Sequence, residues 1–144
     1  MVTLTDLDPR EAASRLLAGK DDRWISELTD ELLRRKRGRE LERVASVWQL
    51  SRRELGELFG VSRQAVTKWL DTGVPSDRAE QVADVQAITD LLERYLKRER
   101  IPAVVRRAAP KLEGTSLLEL LRTGRADDAL LLTRAMFTFT DAHA

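Results

Sequence analysis

Four polar side chains follow Ser62 at positions that share one side of a short predicted helix: Arg63, Gln64, Thr67 and Lys68. Their common chemistry is hydrogen bonding to the edges of nucleic-acid bases. A guanidinium donates two hydrogen bonds to O6 and N7 of guanine, and a glutamine amide pairs in a similar way with N6 and N7 of adenine. The hydroxyls of Ser62 and Thr67 suit a phosphate or a base edge. The pattern therefore indicates a helix that reads double-stranded DNA, provided that its surroundings leave these side chains in solvent.

The residues just before this helix predict how it is positioned. Ser51 and Glu54 have the spacing of a capping box, so a helix should begin just after Ser51. Gly60 falls where a turn between two helices needs a positive φ angle, and Ser62 is suited to cap the second helix. Gly56 lies within the first helix, where glycine costs about 1 kcal/mol relative to alanine. We interpret Gly56 as a point of close crossing, which makes the segment a helix-turn-helix.

Apolar and basic residues around the turn fit the same interpretation. A small core is expected from the inward-facing residues Leu55, Phe59, Val61, Val66 and Trp69. Arg52, Arg53 and the basic run 34–39 suit phosphate contacts, which carry no sequence information. Residues 34–70 hold ten basic and four acidic side chains, whereas residues 1–33 hold four basic and eight acidic ones. A polyanion would therefore meet the middle of the chain.

The stretch from Arg52 to Leu70 resembles the helix-turn-helix of the Xre-type repressor family. The resemblance implies that Ser62 to Leu70 is the recognition helix, with its N-terminal end in the major groove of operator DNA. One helix-turn-helix makes few contacts, so tight binding is expected to require a homodimer that faces two half-sites.

The rest of the chain predicts helices and almost no strands, so the fold class is all-α: a helical bundle with a helix-turn-helix and a small C-terminal helical module. Asp8 and Pro9 have the types expected at the start of a first helix. A second helix is expected to run to Gly38, and a third to follow it. A long amphipathic helix over 77–98 either forms a dimer surface or covers the core.

Short helices are expected near the C-terminus. Pro102 opens one, Thr115 or Ser116 caps the next with Glu119 completing a capping box, and Gly124 ends it before a final helix. The predicted organisation is an N-terminal helical extension, the helix-turn-helix region, a connecting or dimerisation helix, and a C-terminal module, over 1–38, 39–75, 76–100 and 101–144 respectively.

The C-terminal segment is similar to the toxin-binding module of the MbcA/ParS/Xre antitoxin family. The shared features are Pro110, Leu112 and Gly114 around a turn, followed by "LLELLRTGRADDAL". The resemblance implies the antitoxin of a type II toxin–antitoxin pair, which occludes a RES-domain toxin and represses the shared operon. Residues expected at the toxin-binding surface are Arg122, Arg125, Arg134, Met136, Phe137 and Phe139.

Other classes of protein are disfavoured by what the sequence lacks. With no cysteine and His143 as the single histidine, neither a nucleophile–base pair nor a common zinc site can be assembled. We therefore expect no enzyme activity, no metal and no cofactor. No segment approaches the roughly 20 apolar residues of a membrane span, and the N-terminus lacks a signal-peptide pattern. A cytoplasmic protein that does not contact membranes is expected.

Three interpretations remain open at this point. The chain is an antitoxin that binds both DNA and a toxin, or a stand-alone Xre-like repressor whose C-terminal module mediates dimerisation or effector binding. The third interpretation is a protein-interaction module whose helix-turn-helix no longer binds DNA.

Overall fold

The computed structural model describes residues 2–142, with side chains from 2 to 138. Within that part of the chain the fold is all-α, as predicted, and its only β-type pairing is an isolated bridge between Ala109 and Thr115. Eight helices are described: α1 Pro9–Leu17, α2 Asp22–Trp48, α3 Arg52–Phe59, α4 Arg63–Thr72, α5 Ala79–Tyr95, α6 Ile101–Arg106, α7 Leu117–Arg122 and α8 Ala126–Ala142. Single 3-10 turns occupy Leu4–Asp6, Ser76–Arg78, Arg98–Arg100 and Pro110–Leu112.

The chain divides into two units, Met1–Leu33 and Arg34–Ala144. In the first unit, Asp8 caps α1 by accepting a hydrogen bond from the backbone N–H of Glu11 at 3.0 Å, and Pro9 occupies the first turn as expected. None of the side chains described between residues 2 and 33 is buried. The first unit therefore has no core of its own.

The prediction that a helix ends at Gly38 is wrong, because α2 continues without a break to Trp48. Gly38 is buried, and a Cβ atom there would lie 3.0 Å from the carbonyl oxygen of Trp69 and 3.4 Å from the Cα of Gly73. The glycine thus permits a close approach between α2 and the end of α4. Glycine within a helix costs about 1 kcal/mol, and that packing offsets the cost, so Gly38 does not interrupt α2.

The core of the second unit receives apolar side chains from every helix between α2 and α8. At its centre Trp48 is fully buried, and its indole N–H donates to the hydroxyl of Thr89 on α5 at 3.0 Å. Thr89 in turn donates to the carbonyl of Val85 at 2.8 Å. These two bonds satisfy polar groups that would be costly to leave unpaired inside the protein.

The long helix predicted over 77–98 is shorter, since α5 ends at Tyr95 and Leu96 is extended. Its apolar stripe packs inside the chain, with α8 lying along it. The buried members of the stripe are Val82, Val85, Ile88 and Leu92. Of the two roles considered for this stripe, the structure shows core formation.

Helices α7 and α8 complete the second unit. Ser116 caps α7 by accepting from the backbone N–H of Glu119 at 3.1 Å. The predicted capping box also needs the Glu119 carboxylate to accept from the backbone N–H of Ser116. That carboxylate instead lies 3.7 Å from the guanidinium of Arg122. Gly124, with φ +78°, turns the chain between α7 and α8. Because α7 packs against α3, the C-terminal helices support the helix-turn-helix directly.

Candidate nucleic-acid interface

Helix α3 begins with the predicted capping box. The hydroxyl of Ser51 accepts from the backbone N–H of Glu54, and the carboxylate of Glu54 accepts from the backbone N–H of Ser51, both at 3.1 Å. The hydrogen bond from that backbone N–H holds the pKa of Glu54 below its ordinary value against the effect of burial, and the charge of Arg106 lowers it further. The carboxylate therefore stays ionised at the helix N-terminus, where negative charge is favourable.

The turn between α3 and α4 depends on two glycines. Gly60 has φ +65° and ψ +33°, the left-handed conformation predicted for it. A Cβ atom on Gly56 would lie 2.7 Å from the carbonyl oxygen of Val61. The close approach expected at Gly56 is confirmed, and its partner is the backbone of the turn. Because backbone atoms cannot move aside as a flexible side chain can, the turn tightly fixes where α4 begins.

The predicted small core holds the two helices together. Its members Leu55, Phe59, Val66 and Trp69 are buried, and Val61 is half-buried. The rings of Phe59 and Trp69 meet edge to face, with centroids 5.8 Å apart. This arrangement is favourable for aromatic pairs beyond the area that it buries.

Two side chains that sequence reasoning missed secure the C-terminal end of α3. Arg78 donates to the carbonyl of Phe59 at 2.9 Å, and Gln81 donates to the carbonyl of Leu58 at 3.2 Å. Both satisfy carbonyl groups that a helix end leaves without an internal partner. Neither residue belongs to a local motif, so the sequence held no signal for these bonds.

A third missed residue connects α6 to the start of α3. The guanidinium of Arg106 donates to the carbonyls of Trp48 and Gln49 at 2.9 and 2.8 Å, and to the Glu54 carboxylate at 3.2 Å. One arginine thus joins the end of α2, the first turn of α3 and the C-terminal part of the chain.

The predicted base-reading side chains of α4, namely Arg63, Gln64, Thr67 and Lys68, are all exposed. Ser62 caps the helix, its hydroxyl accepting from the backbone N–H of Ala65 at 3.1 Å. The Thr67 hydroxyl donates to the carbonyl of Arg63 and accepts from Arg52, each at 3.1 Å. Helix α3 thereby contributes Arg52 to the same face as these predicted base-reading side chains.

The other residues predicted to contact phosphate differ in their exposure to solvent and in their bonds within the chain. Arg53 is largely exposed and forms only a surface ion pair with Glu57 at 3.4 Å. In the basic run 34–39, Arg37 donates to the carbonyl of Val74 at 2.9 Å, and the Arg34 carbonyl accepts from the N–H of Val74 at 3.0 Å. Both of these arginines are half-buried and help hold the segment after α4, so only part of the run faces solvent.

The electrostatics at the start of α4 differ from those of the other capped helices in the second unit. Glu54 stands in the first turn of α3 and Glu119 in that of α7, whereas the first turn of α4 holds no acid and begins with Arg63. A cation at a helix N-terminus is unfavourable by about 0.3–1 kcal/mol, because it opposes the helix dipole. A residue that opposes local stability in this way is typical of a functional surface.

A groove of about 710 Å³ runs beside the exposed face of α4, between that helix and the end of α2. Its walls include Gln64, Thr67 and Lys68, and also the acidic Glu42 and Asp71. Neither carboxylate belongs to the helix-turn-helix pattern, so the sequence held no signal for its position beside α4. They would repel a phosphate placed in that part of the groove.

The arginines expected at a toxin-binding surface have partners within the chain. Arg122 lies 3.0 Å from Glu57 of α3, and Arg125 lies 2.9 Å from Glu113 and 3.0 Å from Asp128. Arg134 is exposed on α8 near Asp84. The pKa of Asp84 is raised overall, mainly by burial and also by neighbouring carboxylates, and the charge of Arg134 offsets part of this increase. Arg122 and Arg134 are both exposed, whereas Arg125 is half-buried.

The apolar residues expected at the same surface are placed differently from one another. Phe137 is 8 % exposed and stacks on Tyr95, with ring centroids 4.5 Å apart and planes at 6°, so most of its ring packs inside the chain; its contact with a toxin stays a prediction. Met136 is half-buried at the edge of an apolar groove of about 390 Å³. Phe139 lies on α8, but its side chain is outside the described residues.

The described residues contain no cluster of three or more acidic or histidine side chains suited to hold a metal ion. None of the helices between residues 2 and 142 is both long enough and apolar enough to span a bilayer.

Comparisons with protein-family models, with curated proteins and with solved structures find no match to this chain.

Proposed function

We propose that the chain binds operator DNA through α4 and represses transcription in the cytoplasm. The observation that carries the proposal is the exposed face of α4, which presents Arg63, Gln64 and Lys68. A rigid loop fixes where this helix begins, and its first turn contains no acidic residue. The Gly56 contact and the Arg78 bonds support it, since a recognition helix must be held in a fixed orientation to read base edges.

The proposal is tested with DNA from upstream of the gene and with a scrambled duplex of the same length, each at two salt concentrations. Gln64→Ala should cost about 1–3 kcal/mol on the cognate duplex and little on the scrambled one. Arg53→Ala is the matched control: it should weaken both duplexes similarly and reduce the salt slope by about one unit. Equal losses on both duplexes for Gln64→Ala would contradict base reading. Absence of binding by the unaltered protein would refute the whole proposal.

We further propose that the protein is an antitoxin and that its C-terminal module holds a RES-domain toxin. This part is supported by the resemblance of residues 101–139 to antitoxin modules, by the exposed Arg134 and by the apolar groove beside Met136. Co-expression with the neighbouring gene should yield a complex that co-purifies. Arg134→Glu should weaken that complex, whereas Arg53→Glu, on the DNA-binding side, should not.

A stand-alone repressor is the second candidate, and a specific observation favours it. Arg122 of α7 pairs with Glu57 of α3, and α7 packs against α3, so this part of the C-terminal module serves as support for the helix-turn-helix. Recovery of the chain without the product of the neighbouring gene, together with intact operator binding, would favour this candidate.

A further inference from the structure

Residues 2–33, here called the N-terminal arm, carry most of the exposed apolar side chains described in this protein. Six large hydrophobic residues are exposed between residues 2 and 138, and five of them lie in the arm: Val2, Leu4, Leu16, Leu32 and Leu33. The sixth, Leu131, stands alone on α8 at 61 % exposure. An apolar surface concentrated on one small element usually marks a site of association.

The helices of the arm lack what normally stabilises helices of their length. Helix α1 has nine residues, and isolated helices shorter than about 12–15 residues are marginal in water. On α2, Trp24, Leu28 and Leu32 share one side at a spacing of four residues; the first two are half-buried and Leu32 is 55 % exposed. The stripe therefore continues into solvent, and a further apolar surface is needed to cover it.

The charges of the arm limit what that surface can be. With four basic and eight acidic side chains in residues 1–33, the arm repels nucleic acid. Several carboxylates already have partners: Asp6, Asp8 and Asp21 accept backbone N–H groups at helix starts, while Glu11 pairs with an arginine one turn later and Glu27 with one a turn earlier. Exposed carboxylates are well solvated by water and exposed leucines are not, so the occupant that the arm favours is an apolar surface.

We infer that the arm is the homodimerisation element, and that its occupant is the arm of a second copy of this chain. A two-fold interface pairs a surface with itself, so two arms bring the same leucine-rich stripe from both sides. Joining α1 and the start of α2 from two chains gives four helical segments, the number that encloses a bundle core. A standard interface uses roughly 20–30 residues on each side, which residues 2–33 can supply.

This inference moves the dimer surface away from α5, whose apolar stripe is internal, and it does not depend on the proposed DNA binding. It is tested on the full chain without DNA, by sedimentation or by light scattering after gel filtration. The unaltered protein should have twice the chain mass of 16.4 kDa at micromolar concentrations. The double variant Leu32→Glu/Leu33→Glu should raise the dimer dissociation constant at least about a hundredfold, because two buried leucines per chain are replaced by charges.

Leu131→Glu is the control, since it places a glutamate at an exposed leucine outside the arm (61 %, against 55 % for Leu32 and 45 % for Leu33); it should remain dimeric. A monomeric unaltered protein, or a double variant as dimeric as the control, would overturn the inference. Because the chain has no cysteine, single cysteines give a second readout that needs no loss of stability. Leu33→Cys should form a disulfide-linked dimer on mild oxidation far more readily than Leu131→Cys, and equal yields would also overturn the inference.

Discussion

Replacing Arg63 by glutamate should separate the stability of the fold from its proposed function. Arg63 is the first residue of α4, is exposed, and follows the Ser62 cap in a turn without acids. We expect Arg63→Glu to make the protein more stable while it abolishes operator binding. Most substitutions at a structural position do the opposite, because they lower stability.

The magnitude of the gain follows from the helix dipole. Removing a cation from the N-terminus relieves about 0.3–1 kcal/mol, and placing an anion there adds a favourable term of similar size. The free energy of unfolding should therefore rise by about 0.5–2 kcal/mol at low ionic strength. On DNA, the loss of a guanine-type contact and the new repulsion of phosphate should together exceed the cost of about 1–3 kcal/mol for a lost base contact.

The assay is urea unfolding followed by circular dichroism at low and high salt, with operator binding measured on the same samples. Lys68→Glu is the control, because Lys68 lies beyond the first turn of α4, where the dipole effect has faded. It should weaken DNA binding as Arg63→Glu does, but without the gain in stability. High salt should reduce the difference in stability between the two variants.

A lower free energy of unfolding for Arg63→Glu would refute the dipole effect, since Arg63 would then be a structural residue. Operator binding by Arg63→Glu as tight as that of the unaltered protein would refute the base contact, since this side chain would then face away from DNA.

Two further predictions concern the scaffold that holds α4. Gly56→Ala should destabilise the protein by about 1–3 kcal/mol as measured by urea unfolding, because the added carbon overlaps a backbone oxygen; were there space for it, the better helix propensity of alanine would raise stability instead. Thr89→Val should cost about 1–3 kcal/mol by leaving the buried indole N–H of Trp48 without its partner, whereas Thr89→Ser keeps the hydroxyl and should cost less.

The helix-turn-helix was predictable because its signals are local. The Ser51 and Ser62 caps, the positive φ of Gly60 and the close contact at Gly56 each depend on residues within a few positions of one another. The exposed face of α4 then follows from helical periodicity, since the inward positions are taken by Val66 and Trp69.

The errors arose where a local pattern has two physical causes. A glycine in a helical pattern marks either an end or a close approach, and only the position of the Trp69 carbonyl shows that Gly38 is the second case. An aromatic near a C-terminus suits either a partner or a core, and a local pattern does not show which; the stacking of Phe137 on Tyr95 across two helices gives it a core contact. The bonds made by Arg106 join residues more than fifty positions apart, which no local pattern encodes.

The bonds from Arg106 to the segment around α3 have a consequence for truncation. Cleavage anywhere between α5 and α6 would remove the donor that satisfies the carbonyls of Trp48 and Gln49, together with the helices that cover α3. The segment proposed to read DNA is therefore not an excisable domain. We expect proteolysis far downstream of Lys68 to abolish the proposed operator binding, although every residue proposed to contact bases remains in the surviving fragment.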